Sequence, residues 1–99
     1  MAKVYVTEHV RPTMYAGNLL PVAAMPPLAT QNVAIGAGSV QSSAFNAATK
    51  MVAVHADAIC SVEFGANPTA TANSRRLAAN STEYFEVFPG HKIAVITNT

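Results

Sequence analysis

The stretch Glu83-Tyr84-Phe85-Glu86-Val87-Phe88-Pro89-Gly90-His91-Lys92-Ile93-Ala94-Val95-Ile96-Thr97 decides the fold class. Its two apolar runs are rich in aromatic and β-branched residues, which suit a pleated, half-buried surface. Pro89-Gly90 between them carries the chemistry of a type II turn. The pair of runs predicts two antiparallel neighbours, although type II is not the tightest hairpin bend. Successive side chains of a strand point to opposite faces. Ile93 and Val95 therefore share one face of the last strand, and Ala94 and Ile96 share the other. In the strand before it Phe85 and Val87 lie on one face and Tyr84 and Phe88 on the other, interrupted by Glu86. A half-exposed strand has one polar face. These two are apolar on both, and a chain of 99 residues has one core to fill. The second face is thus expected to meet the N-terminal segment or another chain.

The same period runs upstream. Lys50 to His55 alternates with Val52 and Val54 on one face, and Ile59 to Phe64 alternates with Cys60, Val62 and Phe64 inward. Gln31 to Ile35 forms another β run and ends at the turn signal Gly36-Ala37-Gly38. Residues Thr69 to Asn80 are small and polar around Arg75-Arg76-Leu77 and predict a long surface connection. Only Ser43 to Thr49 and Ser74 to Ala79 could hold a turn or two of helix. Several short strands separated by Gly/Pro turns indicate an all-β protein, a small antiparallel β-sandwich or barrel.

The N-terminal part is different. Lys3-Val4-Tyr5-Val6-Thr7 is a short strand, and Pro12, Gly17, Pro21, Pro26 and Pro27 punctuate the residues after it. Proline removes a donor and disfavours helix at the residue before it, so this segment should be extended and irregular. It also carries Met14, Tyr15, Leu19, Leu20, Val22 and Met25, too many large apolar side chains for a disordered linker. The chain thus divides into an N-terminal strand and extended arm over residues 1–27 and a β-sandwich domain over 28–99. The arm is expected to pack on its own sandwich or on a neighbouring subunit.

Charged residues make up 11% of the chain and the formal net charge is +1. A typical soluble domain has about 25% charged residues. A surface of small uncharged side chains, partly covered by partners, accounts for that composition. Cys60 is the one cysteine, so there is no internal disulfide, and its apolar surroundings suit a small buried hydrophobe. No segment approaches the ~18 apolar residues needed to span a bilayer. The start, Met1-Ala2-Lys3-Val4, lacks the apolar stretch of a signal peptide, and the sequon Asn80-Ser81-Thr82 then carries no weight. The protein is expected to be made and used without crossing a membrane.

Acid–base residues are few and scattered. Glu8 and His9 are sequence neighbours and point to opposite faces. His55 and Glu63 could form a cross-strand pair on the face opposite Val54 and Val62. No histidine spacing supports a metal site, no serine sits in a nucleophile elbow, and Gly36-Ala37-Gly38 lacks the rest of a dinucleotide fingerprint. The expectation is a non-enzyme with no cofactor, metal or small-molecule substrate. Arg75-Arg76 is the one charge cluster, a solvated loop pair or a pair of anchors to an acidic neighbour. The balance is too nearly neutral for a nucleic-acid surface. Candidate interface residues are Tyr15, Leu19, Leu20, Met25, Arg75, Arg76, Tyr84 and Phe88.

The elements Phe45 to Val52, Ile59 to Gly65, Asn67 to Thr71 and Glu83 to Ile96 occur in an order that resembles small virion structural proteins of tailed bacteriophages, including capsid decoration or cement proteins. The resemblance covers about the last two-thirds of the chain and leaves out the segment from Thr7 to Pro27. It implies a jelly-roll-like sandwich, self-association into a homo-oligomer, and contact with the major capsid protein or other virion proteins. It also implies localisation in the virion, after assembly in the bacterial cytoplasm; the charge balance and the lack of a long apolar run add the expectation of no nucleic-acid or membrane partner. Two other placements stay open: a neck, tail or fibre-base component, and a module that binds carbohydrate on a host surface.

Overall fold

The computed structural model describes residues 2–10, 12–15, 18–23 and 28–98, with the backbone alone described for 12–15 and 18–23. The described residues are all-β and contain no helix. In chain order the strands are β1 (Lys3–His9), β2 (Pro12–Tyr15), β3 (Asn18–Ala23), β4 (Ala29–Ala34), β5 (Val40–Gln41), β6 (Met51–Ala56), β7 (Cys60–Gly65), β8 (Arg75–Leu77), β9 (Ser81–Glu86) and β10 (Lys92–Thr97). They build two four-stranded antiparallel sheets. The first has the order β4-β1-β6-β9, the second β5-β10-β7-β8, and β2 and β3 pair separately.

One core joins the two sheets. Val4 and Val6 of β1, Val33 of β4, and Val52, Val54 and Ala56 of β6 enter it from the first sheet. Cys60 and Val62 of β7, Leu77 of β8, and Ile93 and Val95 of β10 enter it from the second. Each position is the inward half of an alternating pattern, as the β period demands. Burying a Val, Leu or Ile side chain contributes about 1.5–3 kcal/mol, so this shared layer dominates the stability.

Strand pairing is nested. β5 pairs with β10, β6 with β9, and β7 with β8. Residues 40–97 thus behave as one long antiparallel ribbon whose tip is β7–β8. The ribbon is folded so that β5, β6 and β7, and then β8, β9 and β10, change sheets in step. β1 pairs with both β4 and β6, and β10 also pairs with β7, which completes each sheet.

Several expectations change. β9 and β10 are not a hairpin, since they belong to different sheets. His91 N–H donates to the Phe88 carbonyl at 3.2 Å, and Gly90 has φ of 78°, so the Pro-Gly bend forms where the sequence places it. A type II bend splays its flanking strands, and here it hands the chain from one sheet to the other. Residues 75–77 form a strand and not a helical turn or loop, with Leu77 fully buried. Ser43 to Thr49 is likewise non-helical.

The N-terminal segment is more regular than its prolines suggest. β1 is an inner strand of the first sheet, between β4 and β6, so the strand grouped with the arm is integral to the body. β2 and β3 form an antiparallel hairpin, with Pro12 opposite Ala23, Tyr15 opposite Asn18, and a register shift between Pro12 and Met14. Both strands of a two-stranded ribbon are edges, where proline is tolerated. Among the described residues the hairpin makes no extended contact with either four-stranded sheet.

The second face of β10 meets a segment of its own chain outside the N-terminal arm. Ala94 and Ser61, which lie outward on β10 and β7, are fully buried. Residues 66–74 lie over them. Gln41 Nε2 donates to Asn67 Oδ1 at 2.9 Å and to the Pro68 carbonyl at 2.7 Å, and Ala70 N–H donates to Ser39 Oγ at 2.9 Å. At the other side Ser74 Oγ donates to Glu63 Oε1 at 3.0 Å, and Asn98 Nδ2 donates to Ser61 Oγ at 2.6 Å and to the Ala72 carbonyl at 3.3 Å. Pro68 and Ala70 are themselves buried. The small, polar connection is a flap that closes the outside of the second sheet.

Candidate interaction surfaces

Three surfaces stand out once the sheets are in place. At the β8–β9 side, Arg75 lies opposite Val62, on the inward side of the second sheet. Its guanidinium pairs with Glu83 of β9 and stands 5.3 Å over the Phe85 ring. Phe85 packs in turn on Phe64 at 5.0 Å, and Phe64 on Phe45 at 6.5 Å. Arg75 is therefore engaged within its own chain. Arg76 lies opposite the outward Ser61 and is exposed. The two adjacent arginines serve different faces because the strand period separates neighbours.

The outer face of the first sheet carries no Asp, Glu, Lys or Arg over two rows of four residues. The register aligns Asn32, Tyr5, His55 and Thr82 in one row, and Thr30, Thr7, Ala53 and Tyr84 in the next. Tyr84 is 58% exposed and Tyr5 45%. The Tyr5 and His55 rings lie 6.5 Å apart, and His55 Nδ1 is 2.9 Å from Thr82 Oγ1. Tyr84 was legible as a surface residue, whereas Tyr5 was missed. Its position between the inward Val4 and Val6 was the available signal. Phe88, 65% exposed, sits on the turn after β9 with its ring edge-on to His91 at 5.5 Å. Tyr15, Leu19 and Leu20 fall on the strands of the separate hairpin. Met25 lies outside the described residues.

The third place is an end of the sheets where β1 turns a carboxylate inward. Glu8 follows Val4 and Val6 on the same face and is 2% exposed. Its Oε1 accepts from Asn46 N–H at 2.8 Å and from the Thr49 hydroxyl at 2.7 Å, while Oε2 accepts from Gln31 Nε2 at 3.2 Å. Gln31 also holds Ser43, accepting its N–H at 3.0 Å and donating to its carbonyl at 3.3 Å. A buried carboxylate needs such donors to offset its lost hydration. Segment 43–49 is thereby pinned across the end of the core. A cavity of about 320 Å³ opens beside it, lined by Glu8, Thr30, Gln31, Ser43, Ala44 and Asn46, with Ala29 at its edge.

The groups considered for acid–base work are not brought together. His55 lies outward on the first sheet and Glu63 outward on the second, so they occupy opposite sides of the molecule and no cross-strand pair forms. Cys60 is fully buried, and desolvation raises its thiol pKa, which disfavours the thiolate. Among the described residues no group of three His, Cys, Asp or Glu side chains is placed to hold a metal ion. Comparison with known proteins found no matching family model, no matching curated protein and no matching solved structure.

Proposed function

We propose that this chain is a structural subunit of a tailed-phage virion, a capsid decoration or cement protein that binds the major capsid protein and copies of itself. The observation that carries the reading is the β2–β3 hairpin. Its sequence includes Met14, Tyr15, Leu19, Leu20 and Val22, yet the ribbon does not lie along either sheet of its own chain. A hairpin rich in large apolar residues that makes no extended contact with either sheet favours a partner. The nested pairing supports the finer fold in this proposal, a jelly-roll sandwich, the double-sheet arrangement used by capsid and lectin domains. In that description β5 to β10 are the rolled ribbon, β4 leads into it, and β1 takes the place beside β4 and β6 that a final strand would otherwise fill.

Quantitative mass spectrometry of purified virions tests the proposal. A decoration subunit is expected in stoichiometric amounts comparable to the major capsid protein. A copy number of tens or fewer would move the chain to the neck, tail or fibre base, and its absence would end the virion reading.

The outer face of the first sheet favours carbohydrate binding as a second reading. Tyr5 and Tyr84 are exposed on a surface that also carries His55, Thr82 and Asn32, a combination of aromatic platforms and uncharged hydrogen-bonding groups. Glycan-array binding that disappears on Tyr5→Ala or Tyr84→Ala would establish it over the structural role. A silent array would remove it.

A further inference from the structure

We infer that the outer edge of β4 is a pairing edge for a second copy of this chain, the two β4 strands meeting antiparallel about a two-fold axis at Asn32. β4 is an end strand of the first sheet and is hydrogen-bonded there to β1. Ile35 N–H donates to the Ala2 carbonyl at 3.1 Å, one residue beyond the pair Lys3–Ala34. Backbone groups of successive residues alternate sides along an antiparallel strand. The register therefore turns the N–H and C=O groups of Gln31 and Val33 toward β1, and those of Thr30, Asn32 and Ala34 away from it. Among the described residues no strand takes these up, and Thr30 and Asn32 are exposed. Such a row of donors and acceptors is a template for another strand.

The strand itself selects a like copy. With the two Asn32 residues opposite each other, Thr30 falls opposite the partner's Ala34, and each such pair exchanges both N–H···O bonds. Two-fold pairing uses the same patch on both copies, so every contact is made twice. β4 has no charged residue and no proline, so two copies meet without like-charge repulsion. The other ends of the two sheets are guarded: β9 carries Glu83 and Glu86, and β8 and β5 span three and two residues. Val40 gives an independent reason for cover on this side. It pairs with the core residue Val95 and so faces inward, yet it is 41% exposed, because β5 is the end strand that lies over β4. A two-fold axis normal to the sheet keeps the second sheets of both copies on one side and brings the partner's β5 toward Val40. This pairing gives a surface to the self-association proposed above.

Sedimentation equilibrium and amide hydrogen exchange of the whole chain test the pairing. A monomer–dimer equilibrium is expected, with the Thr30, Asn32 and Ala34 amides protected at high concentration and released on dilution. Asn32→Lys sets like charges opposite each other on the axis. Asn32→Pro removes a donor that points away from β1, a change that edge strands tolerate. Each should weaken the dimer by roughly tenfold or more while the chain still melts cooperatively. Ala72→Lys adds the same charge at an exposed flap position and should leave the dimer unchanged. Should the Asn32 variants fail to fold, the concentration dependence of exchange in wild type decides. A monomer at every concentration, a dimer equally stable in the folded Asn32 variants, or amides already protected in the monomer would each overturn the assignment. The last would mean that the edge pairs within its own chain. A monomer that is stoichiometric in virions would remove this edge and leave the virion proposal standing, whereas a β4-paired dimer absent from virions would do the reverse.

Discussion

Arg75 and Glu83 form an ion pair that ties the last strand of one sheet to the last strand of the other. The guanidinium also covers the Phe85 ring, whose other neighbour, Phe64, belongs to the second sheet. A side of the molecule where two sheet edges would otherwise part is held by one side chain acting on two partners.

Arg75→Ala should therefore lower stability, but modestly. An exposed ion pair contributes about 0–1 kcal/mol and an exposed cation–π contact about 0.5–1 kcal/mol. A loss of about 1 kcal/mol, read as a lower urea midpoint at unchanged slope, is expected. Arg75→Lys should recover part of it, and high salt should narrow the gap between wild type and Arg75→Ala. A variant as stable as wild type would show that the pair is decorative.

The flap makes a sharper prediction. Ala70 is 2% exposed within a segment that looks like a solvent-facing connection from its composition. Ala70→Asp would bury an unpaired charge and should cost roughly 3 kcal/mol or more by chemical denaturation. The same substitution at the exposed Ala72 should be close to neutral, within about 0.5 kcal/mol. Equal effects at both positions would mean that the flap is not seated on β7 and β10.

Two deletions separate the roles of the N-terminal region. Removing residues 1–27 takes away β1, an inner strand that supplies Val4 and Val6, and should leave an aggregating or unfolded chain. Replacing residues 11–27 by a short turn keeps β1 paired with β4. That variant should fold with a cooperative melt and lose association with partners, as seen by light scattering and co-purification. A soluble, cooperative monomer from the first deletion would contradict the placement of β1.

Cys60 sets an alkaline limit. Burial pushes its thiol pKa above the ordinary value of 9.0, so the folded state retains the proton to higher pH than the unfolded chain. Between the two pKa values the native state binds more protons, and stability falls as pH rises. The contribution is fully present below about pH 9 and is lost above it. Thermal melts of wild type should therefore decline more steeply than those of Cys60→Ala from about pH 8.5 to 10.5. Below about pH 8 the two slopes should match. Native Cys60 should also react slowly with a thiol reagent and quickly in denaturant.

Much of the fold was legible locally. Alternation of Val52 and Val54, of Cys60 and Val62, and of Ile93 and Val95 needs only the two-residue period, and all six side chains are in the core. The bend at Pro89-Gly90 also comes from local chemistry, since proline and a positive-φ glycine restrict the backbone whatever surrounds them. The candidate sites were less so. Tyr84 could be read as outward because the period sets its face. Tyr5 and Glu8 could not be weighed, since their significance comes from residues brought in from β4, β6 and segment 43–49.

The amino-acid sequence alone determined that this is an all-β protein, which residues alternate inward, and where the chain bends. Those properties depend on neighbours within a few positions. Tertiary structure decided which strands pair, that β9 and β10 part into different sheets, and that β1 lies between β4 and β6. It also decided what covers the outer face of β10, where Ala70 and Ser39, far apart in sequence, meet through one hydrogen bond. A strand presents the same edge and face to any partner with a matching pattern, so pairing is a contest among distant segments. Packing of the whole chain settles that contest.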